Sequence, residues 1–145
     1  MHDYLSDYTS VINAENSILG RLASIVAKRL LNGEKIIIVN AEKGLISGKQ
    51  DVIAAKYLQR YQIKTKSNPL KGPFYPRKPE QILKRTIRGM LPYRTSRGKE
   101  AYHRLIVFKD FPETLREREI EEISDAQKIN PKSSYLSLSE LHSKI

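Results

Sequence analysis

The chain has 145 residues, 26 of them Lys or Arg and 16 Asp or Glu, for a formal net charge of +10. That length favours one domain with a proper core, and a hydrophobic fraction of 39% excludes a disordered basic tail. Zero cysteines exclude a disulfide framework, a thiol nucleophile and a thiolate metal site. The longest apolar runs, such as Ile36–Val39, have four residues, against the roughly 20 needed to span a bilayer. The early acids of Met1-His2-Asp3-Tyr4 do not resemble a signal peptide, so a cytosolic location is expected.

In chain order, the first half reads as a strand–helix–strand unit. Val11-Ile12-Asn13 forms a short strand. Asn16 or Ser17 is placed to cap a helix whose apolar positions Ile18, Leu22, Ile25, Val26 and Leu30 recur with a period near 3.6. Gly33 stops that helix in the left-handed conformation. Lys35-Ile36-Ile37-Ile38-Val39-Asn40 is β-branched without alternation, as in a strand buried on both faces. Such a unit implies a parallel strand pair.

Gly44-Leu45-Ile46 reads as another short strand, leading into Ser47-Gly48-Lys49-Gln50. Ser47 and Gln50 have capping-box spacing, opening a helix with Ile53, Ala54, Tyr57, Leu58 and Tyr61 on its apolar face. Pro69, Gly72, Pro73 and Pro76 then break residues 64–78 into a turn-rich segment. Pro79 suits the first turn of a further helix, with Leu83, Ile87, Met90 and Leu91 inward and Lys84, Arg85 and Arg88 outward. A helix over 96–103 and a strand over 105–108 follow. The remainder, 111–145, reads as an acidic extension packed on the surface or ordered beside a partner. Leu115, Ile120 and Ile123 are its anchors, and a capping box at Ser137 and Glu140 opens a terminal helix using Leu138, Leu141 and Ile145.

Charge is distributed unevenly along this plan. Residues 60–109 contain 14 basic and two acidic side chains, whereas 1–59 are nearly neutral and 110–145 are net acidic. A solvated face kept for solubility would mix both signs, so the block calls for an anionic partner. Within it, Lys64, Lys66, Lys71, Arg77 and Lys78 are interleaved with Phe74 and Tyr75 in a proline-stiffened loop. Cations of this kind bind phosphates and aromatics stack on unpaired bases, a combination suited to RNA. The segment 64–78 is expected to order on RNA. Lys84, Arg85, Arg88, Arg94, Arg97, Lys99 and Arg104 extend the positive surface, and Arg21, Lys28 and Lys49 are further candidate RNA contacts.

Catalytic signals are weak. His2, His103 and His142 lack metal-ligand spacing. The turn 44–50 has three residues between its glycines and Gln50 where a phosphate-binding loop needs Ser or Thr. A small nucleotide-binding phosphotransfer enzyme on an α/β sandwich, with Lys49 and Asp51 at its site, is the alternative reading.

Four segments carry a more specific likeness. They are Leu19-Gly20-Arg21-Leu22-Ala23-Ser24; Val39-Asn40-Ala41-Glu42 into Ile46-Ser47-Gly48-Lys49; Gly72-Pro73 through Pro79; and Ile87-Arg88-Gly89-Met90-Leu91-Pro92 followed by Gly98-Lys99 and Leu105-Ile106-Val107-Phe108. Together they resemble the universal ribosomal large-subunit protein thirteen family over about residues 9–108. The Gly-Pro-Phe-Tyr-Pro-Arg-Lys-Pro loop looks like the archaeal and eukaryotic branch. The resemblance implies a three-layer α/β/α sandwich around a four-stranded, mainly parallel sheet. Residues 1–110 would form one rRNA-binding domain, with a basic insertion at about 62–104 and a C-terminal extension at 111–145. It also implies a non-catalytic role without cofactor or metal: binding large-subunit rRNA, supporting subunit assembly and contacting neighbouring ribosomal proteins.

Overall fold

The computed structural model describes residues 8, 10–63, 66–68, 70, 72–128 and 134–145. Its centre is a parallel sheet of four strands: β1 (Ser10–Asn13), β2 (Ile36–Val39), β4 (Leu105–Val107) and β5 (Ile120–Glu121), in the order β4-β2-β1-β5. A second, antiparallel pair joins β3 (Leu45–Ser47) to β6 (Tyr135–Ser137). Five helices complete the described structure: α1 (Leu19–Leu31), α2 (Gln50–Gln62), α3 (Pro79–Gly89), α4 (Ser96–His103) and α5 (Leu138–Lys144). The α/β class and the parallel sheet are those expected.

All four residues of β2 are buried, and their side chains alternate between two apolar clusters. Ile36 and Ile38 point into the larger, where α1 contributes Leu22, Val26 and Leu30, α3 contributes Ile82, Leu83 and Ile87, and α5 contributes Leu138 and Leu141. Ile37 and Val39 point the other way, onto Val11 and Leu115, with Phe108 and Phe111 packed around them. Among the described residues, the second face is therefore covered by the 3-10 turn Glu113–Leu115 and the chain leading to it, a thinner layer than the helices opposite.

Several local expectations are corrected. α1 begins at Leu19 with Ile18 as its N-cap and no side-chain cap; Asn16 has a positive φ of 60°. Contacts with a distant part of the chain fix the entry to this helix. The Ile18 N–H donates to the Ala126 carbonyl at 2.8 Å, and buried Ser17 accepts from Gln127 Nε2 at 3.1 Å. The capping box at Ser47 does not form either: α2 starts at Gln50, capped by the backbone of Lys49, while Gln50 reaches the Tyr135 carbonyl. On α2 only Ile53 is fully buried, and Leu58 is exposed. Met90 is exposed because α3 ends at Gly89, and Ile82 takes its place inside.

Other signals are realised. Gly33 has φ +98°, its N–H bonds the Leu30 carbonyl, and the Glu34 N–H bonds Arg29, the paired closure of a glycine-terminated helix. Pro79 occupies the first position of α3, and Ser137 Oγ accepts from the Glu140 N–H to open α5.

The described residues of segment 111–145, expected as an extension packed on the surface or ordered beside a partner, are built into the body. β5 is the edge strand beside β1, and Ile123, Ala126, Leu136, Leu138 and Leu141 belong to the main core. Arg29 ties it down, donating to Glu34 at 2.7 Å, Glu121 at 3.1 Å and Ser10 at 3.0 Å. Burial works against the Arg29 charge, but the hydrogen bonds to Glu121 and Glu34 outweigh it and raise its pKa.

Gly98 sets how closely α4 approaches the turn before it. A Cβ there would lie 1.9 Å from the Pro92 carbonyl oxygen, a backbone contact that no rotamer change relieves. Gly98→Ala is expected to cost about 1–3 kcal/mol, as for other overpacked sites. Urea unfolding should show it as a lowered midpoint with an unchanged slope.

Candidate nucleic-acid interface

Burying Ile82, Leu83 and Ile87 turns the opposite side of α3, with Lys84, Arg85 and Arg88, toward solvent. Two tyrosines from the following turn and helix stand beside them. Lys84 Nζ lies 5.0 Å from the Tyr102 ring centre, the Arg88 guanidinium 4.9 Å from that of Tyr93, and the two rings meet edge to face at 5.4 Å. A second row continues onto α2. Arg60 sits between Tyr57 and Tyr75 at 5.1 and 5.9 Å, and Arg77 lies 4.8 Å over Tyr61. At about 0.5–1 kcal/mol each on an exposed surface, such contacts bias rotamers without consuming the N–H donors. The cations are thus held in place and still available to an anion.

The loop between α2 and α3 is tethered at its second half. Tyr61 Oη donates to the Pro76 carbonyl at 2.8 Å, and His142 Nδ1 on α5 bonds the Arg77 carbonyl at 2.9 Å. Burial raises the pKa of Tyr57, Tyr61 and Tyr102, so these phenols stay neutral and Tyr61 keeps its donor. Of segment 64–78, expected to order on RNA, Tyr75, Pro76 and Arg77 carry these contacts without RNA. Lys64 and Lys71 lie outside the described residues.

The electrostatic arrangement is one-sided. Ion pairs among the described residues join Arg29 to Glu34 and Glu121, Lys43 to Glu15, and Arg116 to Glu113. None involves residues 60–109. Of the acids in the C-terminal segment, Glu113 and Glu121 pair with Arg116 and Arg29, outside the basic block.

A profile of the family described as Ribosomal protein L13 matches residues 7–114. The chain belongs to the ribosomal protein L13 family. It is similar to the "Large ribosomal subunit protein uL13" of Archaeoglobus fulgidus, 49% identical over 139 residues, which span 94% of this chain and 87% of the relative. The protein of the same name from Methanocaldococcus jannaschii is 47% identical, covering 91% and 93% of the two chains, and that of Methanosarcina barkeri is 44% identical, covering 94% and 96%. The family's members are ribosomal proteins, and this one is a structural constituent of the ribosome, not an enzyme.

In this member of the L13 family the remaining candidate contacts fall into separate groups. Arg94, Arg97 and Lys99 are exposed along the turn and first part of α4, continuous with the α3 surface. Lys66 and Lys78 are exposed on the 66–78 stretch. Arg21 and Lys28 are exposed on α1, and Lys49 at the start of α2, with no contact drawing them to the α3 cluster. Arg104 is turned inward: its guanidinium donates to the Leu30 carbonyl at 2.6 Å, at the C-terminal end of α1, and its Nε is buried. Arg60, Tyr93 and Tyr102 carry no expectation from the sequence, and Tyr57 and Tyr61, expected on an apolar face, lie instead against Arg60 and Arg77. The spacing Tyr57-Arg60-Tyr61 on one helix was the available signal.

Gly89 contrasts with Gly98. A Cβ at Gly89 would meet nothing within 4 Å, so no part of the described chain requires glycine there. Gly89→Ala should stabilise the free protein by about 0.4–1 kcal/mol and weaken RNA binding if a nucleic-acid backbone approaches at that point.

Arg88 and Arg104 test the division between outward and inward cations. Arg88→Ala should leave the urea midpoint within about 1 kcal/mol of wild type and reduce affinity for rRNA. Arg104→Ala should cost about 1.5–3 kcal/mol, the range for a hydrogen bond to a charged group, with little effect on the affinity of the folded fraction.

Proposed function

We propose that this protein is a constituent of the large ribosomal subunit, in the cytoplasm, that clamps segments of large-subunit rRNA. The surface that does so comprises α3, the turn after it, α4 and the tethered 72–78 loop. One observation carries the reading: a block of 14 cations between residues 60 and 109 that enters no ion pair among the described residues. Self-repulsion of that density is relieved by a polyanion, and phosphate contacts position RNA segments without reading their sequence. Lys84, Arg85 and Arg88 are the centre of the surface, with Arg77, Arg94, Arg97 and Lys99 around it. By neutralising backbone charge between RNA segments, the protein supports early subunit assembly, and its other faces contact neighbouring ribosomal proteins.

Counterion release makes the test quantitative. With roughly 6–10 phosphate contacts, affinity for rRNA should fall on the order of 10³–10⁵-fold between about 50 and 200 mM salt, nearer the lower end for folded RNA than for duplex DNA. Charge reversal at Lys84, Arg85 and Arg88 together should flatten the log–log slope by about 2–3. Reversal at exposed Arg116 and Lys144 should leave it unchanged. An equally steep slope for the α3 triple variant would place the binding surface elsewhere.

A further inference from the structure

One side chain on this surface is not explained by binding phosphates. Phe74 is 71% exposed, and no ring or cation lies on it among the described residues. Its neighbour Tyr75 differs: it is half-buried, with Arg60 over its ring. A large exposed aromatic is costly to leave in water, and core packing does not account for this one. Phe74 forms one rim of a groove whose opposite wall is α3, where Gln81, Lys84, Arg85 and Arg88 are presented. The loop that carries it is anchored two and three residues later, through the carbonyls of Pro76 and Arg77. Its ring is therefore offered from a tethered backbone, which lowers the entropy lost when a partner packs on it.

We propose that this groove takes one unpaired nucleotide of RNA, its base stacked on Phe74 and its phosphate against Lys84 and Arg85. The proposal rests on the RNA reading above and adds to it a recognition element for unpaired nucleotides. The chemistry of the two walls selects the ligand. An apolar peptide would cover Phe74 but would desolvate cations that have no acidic partner. An acidic peptide would satisfy the cations and leave the flat ring without a matching face. A fully paired duplex satisfies the cations while keeping its bases stacked internally. An unpaired nucleotide supplies both a flat π face and a covalently adjacent anion, and every nucleotide carries the pair. Gln81, exposed on α3, has an amide able to donate to and accept from the base edge.

The chain contains no tryptophan, so Phe74→Trp introduces a single indole reporter at the site. Protein-free large-subunit rRNA and a fully paired RNA duplex are the two probes, with wild type, Phe74→Ala and Phe74→Trp as full-length chains. On rRNA, Phe74→Ala should bind about 5- to 100-fold more weakly, the range for loss of one stacked base, with an unchanged salt slope because no cation is removed. Phe74→Trp should bind like wild type, with emission quenched by rRNA and unaffected by the duplex. Wild-type affinity in Phe74→Ala, or indole emission unchanged on rRNA binding, would overturn the stacking site while leaving the phosphate clamp standing. A shallow salt slope in wild type itself would instead overturn the clamp.

Discussion

Repulsion among like charges is the constraint around which this molecule is arranged. Fourteen cations fall within 50 consecutive residues, opposed in that stretch only by Glu80 and Glu100. A chain that folded them inward would bear desolvation costs of several kcal/mol per ion. Most of those described are instead carried on the outer side of α3 and α4, in the turn between them and in the loop before them, with Arg60 on α2 and Arg104 turned onto the end of α1, while apolar side chains of α3 and α4 fill the core. Aromatic faces help to hold them there. Four of the cations lie on tyrosine rings, which orient a charge without neutralising it. A carboxylate partner would orient it equally well but would compete with phosphate.

Holding that surface falls to the opposite side of the molecule. α3 is fixed by packing on α1 and on the sheet through Leu83 and Ile87. α1 is in turn fixed at both ends by distant parts of the chain. The Ala126 carbonyl meets its N-terminal end and the Arg104 guanidinium its C-terminal end. The acidic C-terminal segment has a role in this arrangement. It closes the sheet with β5, pairs Glu121 with Arg29, and brings His142 onto the loop that carries Arg77. The acidic C-terminal segment therefore braces the basic third of the chain without quenching it.

The two signature glycines, Gly89 and Gly98, show how one residue type serves unlike purposes. At Gly98 the Pro92 carbonyl occupies the space a methyl group would need, so the requirement is internal. At Gly89 the space is open, so any requirement comes from outside the described chain. Sequence alone treats the two identically, because it records an absent side chain and not what borders the gap.

Wherever neighbouring residues decide the outcome, the amino-acid sequence by itself determined the structure. The β-branched run at 36–39 became the central strand, Gly33 and Pro79 ended and began helices, and Ser137 capped α5. The concentration of cations in residues 60–109 was equally legible, since charge is additive along a chain. Tertiary structure decided how α1 begins, because neither Asn16 nor Ser17 caps it and the Ala126 carbonyl holds the Ile18 N–H at its entry. It decided that 111–145 belongs to the core, where apolar anchors spaced too irregularly to show a period meet a surface prepared by α1 and the sheet. It also sorted the cations. Arg88 and Arg104 are chemically identical in sequence; one lies on a tyrosine facing solvent and the other is turned onto a helix end. Which fate each meets depends on what the fold brings within about 6 Å of its guanidinium, the reach of a cation–π contact, and no local pattern records that.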